Sequence, residues 1–107
     1  MSIIPTMIKS KEQYEELISR EDPLLVYFSS QNCNVCHAVL PKVMELVDEY
    51  PLEVAQVKVD ELQEIAGQSL VFTVPTILVM FEGREILRES RFIDFAKLER
   101  TLSLLQP

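Results

Sequence analysis

Apolar residues along this chain fall into blocks whose spacing switches between that of strands and that of helices. Two blocks, Leu24 to Ser29 and Ile77 to Phe81, are apolar on both faces. Such strands have no solvent face, so both are expected at the centre of a sheet covered by helices on each side. Val54, Val57 and Val59 mark another strand over Glu53 to Asp60, and Thr6 to Lys9 a short first one. Helical patterns lie between them. Ser10 with Gln13 is a capping-box pair opening a helix with Tyr14, Leu17 and Ile18 on one face, and Asp22-Pro23 breaks it. Cys36, Val39, Leu40, Val43, Val47 and Tyr50 then recur as a buried helical stripe. Pro41 removes an N–H donor from that helix and predicts a kink, and Pro51 marks its exit. Glu61 to Ser69 predicts a short helix. Val74-Pro75-Thr76 leads into the second dense strand, and Glu82-Gly83 is a two-residue hairpin turn into Arg84 to Arg91. Asp94 caps a last helix carrying Phe95, Leu98, Leu102 and Leu105 on one face.

The order βαβαβαββα predicts an α/β fold, with right-handed crossovers building a largely parallel sheet between helices. There are no repeats, linkers or low-complexity segments, so residues 1–107 are expected to form one domain with a single core. An apolar content of 48% excludes a disordered chain. Acidic residues outnumber basic ones by 17 to 10, a net charge of −7 that phosphate backbones and anionic lipids repel. Neither nucleic acid nor membrane is therefore expected as a partner. The N-terminal residues lack a charged region followed by an apolar one, and no apolar stretch approaches the roughly 20 residues that span a bilayer. A cytoplasmic location is expected.

The candidate chemistry sits in Cys33-Asn34-Val35-Cys36, which holds both cysteines of the chain. The motif falls where the first dense strand gives way to a helix, so Cys33 meets the free N–H groups and positive dipole end of a helix N-terminus. A thiolate is stabilised there, and the thiolate attacks disulfides. In a redox reading Cys33 forms a mixed disulfide and Cys36, one turn deeper, resolves it. Cysteines packed merely as small apolar residues would explain Cys36, which lies on the stripe, but not Cys33. Cys33 to His37 also matches a haem c attachment pattern, with Met44 and Met80 as paper ligands. That reading conflicts with strands as dense as Leu24–Phe28 and Ile77–Phe81, and core spacing explains both methionines. A zinc site needs about four ligands, and Cys33, Cys36 and His37 are the only soft candidates. No metal or other cofactor is expected. His37 reads first as a solvated helix residue, second as a positive charge favouring the thiolate.

Taken together, the element order, Cys33-x-x-Cys36, Pro41, the strand ending at Asp60, Val74-Pro75-Thr76 and the Glu82-Gly83 hairpin resemble the thioredoxin family over nearly the whole chain. The resemblance implies a thioredoxin fold, a central mixed five-stranded sheet flanked by four helices. It implies a cis bond at Val74–Pro75, with Pro75 beside the dithiol and Val74 offering backbone groups to an extended substrate segment. Several positions depart from the family pattern. Tyr27 stands where thioredoxins have a buried aspartate, Gln56 where they have its lysine partner, and Asn32 where a tryptophan precedes the first cysteine. Arg91 replaces a glycine bordering the substrate groove, where it would stabilise the Cys33 thiolate or favour acidic segments. Without the aspartate, no buried acid is expected to accept the Cys36 proton.

The expected protein is a monomeric thiol–disulfide oxidoreductase that exchanges the Cys33–Cys36 couple with protein or small-molecule disulfides in redox homeostasis and electron transport. Cys33 is the expected nucleophile and Cys36 the resolving thiol, with Asn32, Val74, Pro75 and Arg91 binding substrate. Its expected partners are disulfide-bearing substrates and an external reductant such as a reductase. The alternative is a redox-idle binding or adaptor module using the groove around Pro75.

Overall fold

The computed structural model describes residues 3–106; Met1 and Ser2, where the leader reading begins, and Pro107 lie outside the described residues. In chain order the elements are β1 (Thr6–Met7), α1 (Lys11–Ile18), β2 (Leu24–Ser29), α2 (Asn34–Glu49) and β3 (Glu53–Lys58). They continue as α3 (Gln63–Gln68), β4 (Thr76–Phe81), β5 (Arg84–Ser90) and α4 (Phe95–Leu104). Among the described residues no helix is long and apolar enough to cross a membrane.

One five-stranded sheet holds the strands in the order β1-β3-β2-β4-β5. β1 and β2 run parallel to β3, whereas β4 is antiparallel to β2 and β5 antiparallel to β4. The sheet is mixed, as the family resemblance implied, and not the largely parallel one read from element order alone. The reason lies in how β4 enters: Thr76 pairs with Phe28, so β4 begins beside the exit of β2 and runs back along it. Element order alone does not say at which end of a neighbour a strand begins.

Every residue of β2 is buried, as its apolar character requires. Leu24, Val26 and Phe28 pack on one face with Tyr14 and Leu17 of α1, Ile65 and Ala66 of α3, and Leu78 and Met80 of β4. Leu25 and Tyr27 pack on the other with Val43 and Val47 of α2, Leu98 and Leu102 of α4, and Ile77 and Val79 of β4. The single core expected from length is thus divided by the sheet. Val54 and Val57 of β3 lie on opposite faces, so that strand too is covered on both sides.

The capping signals act locally as their chemistry dictates. Ser10 Oγ accepts from the Gln13 N–H at 3.1 Å, while Gln13 Oε1 accepts from the Lys9 N–H at 2.7 Å. The reciprocal bond therefore closes one residue before the cap. Asp94 accepts from the Lys97 N–H at 3.0 Å at the start of α4. Glu82 (φ 54°) and Gly83 (φ 76°) are both left-handed, as a two-residue turn matching the twist of its strands demands. α2 continues unbroken through Pro41, which supplies no N–H to the turn before it.

Candidate active site

Three strand ends meet at one edge of the sheet. Phe28 pairs with Thr76 and Thr76 with Ser90, so the exit of β2, the entry of β4 and the exit of β5 lie side by side. The cysteines follow β2, Val74 and Pro75 precede β4, and Arg91 and Phe92 follow β5. Segments distant in sequence are brought together by strand register alone.

Cys33 is the N-cap of α2, and its Sγ accepts from the Cys36 N–H at 3.1 Å. The two cysteines are joined as a disulfide with Cα atoms 5.2 Å apart, within the ordinary range for such bonds. Cys33 is half-buried, whereas Cys36 is 1% exposed. The first sulfur therefore faces solvent and the second the core. His37 is exposed, and its Nε2–H donates to the Gln31 carbonyl at 3.0 Å, tying the first turn of α2 to the loop before it.

Beneath the disulfide lies Tyr27, fully buried, whose hydroxyl donates to the Cys36 carbonyl at 2.7 Å. Burial pushes its phenol up to about 12, so it stays protonated at neutral pH. Gln56 is in register with Tyr27 across β3, and its amide donates to Ser29 Oγ at 3.4 Å. Apart from the tyrosine hydroxyls, the buried polar side chains among the described residues are Ser29 and Thr76. Among them, then, no carboxylate is buried under Cys36, as the Tyr27 position led one to expect.

Beside the disulfide opens a groove of about 280 Å³ lined by Cys33, Asn34, Val35, Val74, Pro75, Arg91 and Phe92. The Val74–Pro75 peptide bond is cis. The Pro75 carbonyl accepts from the Arg91 N–H at 2.8 Å, which joins the two loops. Val74 makes no backbone hydrogen bond among the described residues. The structure thus gathers Cys33, Val74, Pro75 and Arg91, whereas Asn32 is exposed and outside the groove. Phe92, 87% exposed, was not singled out by the sequence. An aromatic between a strand and a capping Asp94 carries no periodic signal.

The sequence profile of the family Thioredoxin matches residues 5–103. The chain belongs to the thioredoxin family. It is 38% identical over 98 residues to the thioredoxin-like protein YdfQ of Bacillus subtilis, covering 91% of this chain and 88% of that one. The solved thioredoxin of Fasciola hepatica superposes with a TM-score of 0.82 at 30% identity, over 94% of this chain and 99% of that one. A thioredoxin from Trypanosoma brucei brucei shares the fold at a TM-score of 0.84 and 20% identity, over 96% of this chain and 91% of that one. Family membership and the Cys33–Cys36 disulfide make this thioredoxin-family chain a thiol–disulfide oxidoreductase. The redox-idle adaptor reading is not favoured, because the couple it would leave unused is intact at the rim of the groove.

Proposed function

We propose that this protein reduces disulfides in other proteins, acting as a cytoplasmic monomer over a single domain of residues 1–107, with Cys33 as nucleophile and Cys36 as resolving thiol. The carrying observation is the unequal setting of the two sulfurs: Cys33 at the helix N-terminus facing the groove, Cys36 buried. The Cys36 N–H on Cys33 Sγ and the helix dipole both favour negative charge there, so the Cys33 thiol is expected below the free value of about 8.5. Its thiolate attacks one substrate sulfur, the substrate S–S bond breaks, and the departing thiolate takes a proton from water. Cys36, once deprotonated, attacks Cys33 Sγ. The Cys33–Cys36 disulfide forms and the second substrate thiol leaves, so two electrons pass to the substrate. Thioredoxin-family proteins are returned to the dithiol by a reductase, and an external reductant of that kind would complete the cycle here.

The unpartnered backbone of Val74 supports the binding of an extended substrate segment along the groove, with Pro75 as its shoulder and Arg91 at its rim. Asn32, on the loop leading to Cys33, would meet the segment only beyond the groove. No bound cofactor is needed. The test is trapping: Cys36→Ser is expected to accumulate mixed disulfides with substrate proteins, and Cys33→Ser to accumulate none. Both variants should lose turnover, and in the reduced parent Cys33 should alkylate faster at pH 7. Equal alkylation of the two thiols would sink the assignment.

A further inference from the structure

We propose that Arg91 and Phe92 select the substrate of the Cys33 reaction: a cystine in an extended segment with an acidic residue and a bulky apolar residue beside the attacked cysteine. This rests on Cys33 being the attacking thiol. Among the described residues, Arg91 is the only charged side chain lining the groove. Its guanidinium makes no ion pair or hydrogen bond among those residues, although the chain carries 17 acidic groups. The nearby Glu89 is already taken, its carboxylate accepting from the Asp94 N–H at 3.0 Å and lying 3.6 Å from Lys97 Nζ. A free cation therefore faces the space in front of Cys33.

The backbone makes the choice of residue more telling. Arg91 has φ 63°, a left-handed conformation that glycine adopts freely and a long side chain such as arginine's adopts at a steric cost. Its N–H is fixed on the Pro75 carbonyl, so the position cannot relax without releasing that loop. Strain held in place at a site rim points to a use for the side chain. Phe92 follows at 87% exposure and Val35 faces the same groove at 55%, giving an apolar surface next to the charge. A segment pairing with Val74 passes within reach of all three side chains.

The net charge of −7 works against this preference at long range, so selection for acid must come from Arg91 locally. An exposed pair of this kind corresponds to about a two- to five-fold effect on kcat/KM. It acts on the first exchange, in which Cys33 bonds to the substrate sulfur and the partner sulfur departs with the electron pair.

Three peptides with one intramolecular disulfide each, differing only beside one cysteine, carry Glu and Phe, Lys and Phe, or Glu and Ser. Single-turnover reduction by the pre-reduced full chain is expected to run fastest on the first. Its lead over the lysine peptide should shrink in high salt, and Arg91→Glu should reverse the order of those two. Phe92→Ser should remove the lead over the serine peptide. Arg91→Gly, which relieves the left-handed backbone, should also lose the acid preference and serves if Arg91→Glu does not fold. Equal rates on the acidic and basic peptides, or a ratio that Arg91 variants leave unchanged, overturn the selection while the Cys33 reading stands. Reaction with none of the three overturns both.

Discussion

Tyr27 occupies the ground beneath the disulfide, where its hydroxyl holds the Cys36 carbonyl at 2.7 Å. Ionising it inside the fold would set a buried anion against that carbonyl oxygen, and burial pushes the phenol up to about 12. The unfolded phenol titrates near about 10. With the folded value raised, Tyr27's contribution to stability is complete below that pH and disappears as pH rises through the folded value. Urea titrations of the parent should therefore show stability falling on this alkaline limb, and Tyr27→Phe should flatten it. At neutral pH the same variant keeps the ring packing and loses one buried hydrogen bond, an expected cost of about 1 kcal/mol. Unchanged midpoints across both pH ranges would mean the hydroxyl does nothing for the fold. A tyrosine at position 27 in place of an acid was legible from the sequence; that its hydroxyl takes the backbone of the resolving cysteine as partner was not.

At the scale of elements, Arg88 shows how a strand and a distant helix are fastened. Its guanidinium donates to the carbonyls of Ser69 at 2.8 Å and Leu70 at 3.0 Å, just past the end of α3. It also pairs with Glu85 at 2.8 Å on its own strand. Leu70 is left-handed at φ 57°, and the Arg88 bond fixes the chain as it leaves α3 toward Val74 and Pro75. Tyr14 of α1 joins the cluster through a 2.8 Å bond to Ser69 Oγ. Arg88→Ala should cost roughly 1–2 kcal/mol in urea unfolding, mostly from the lost carbonyl bonds, because the Glu85 pair is partly solvated. Hydrogen bonding by Arg88 holds the Glu85 carboxyl below its ordinary value. That small contribution is present above the unfolded carboxylate pKa and is lost as pH falls through the folded one. Identical acid limbs in the parent and Arg88→Ala would show that the pair adds nothing. The helix caps, by contrast, are satisfied by residues a few positions away and were readable in advance.

For the whole molecule, the decisive strand is β2, buried along its full length between two packed layers. Leu25 is 0% exposed and meets α2, α4 and β4 at once. Leu25→Ala should cost about 2–5 kcal/mol, a large share of the roughly 5–15 kcal/mol that separates a domain of this kind from its unfolded state. Thermal and urea unfolding would measure it, and a loss under about 1 kcal/mol would show that the layers collapse freely around the missing volume. The same strand aims its C-terminal end at the disulfide, so loosening it is also expected to disturb the groove.

What the sequence determined by itself is what depends on near neighbours along the chain. Period, caps and turn residues placed every helix and strand, because a helical face, an N-cap and a Glu-Gly turn are each decided within a few residues. The placement of Cys33 at a helix N-terminus follows for the same reason. Tertiary structure alone decided the direction of β4, since Thr76 had to find Phe28 across the sheet. It also decided that Phe92 lines the groove beside Cys33, whereas Asn32, the residue next to Cys33, does not. Those relations come from the pairing of β2 with β4 across the sheet, from the one-residue register shift at Val79 and Met80 inside the hairpin, and from one hydrogen bond between the loops at Pro75 and Arg91.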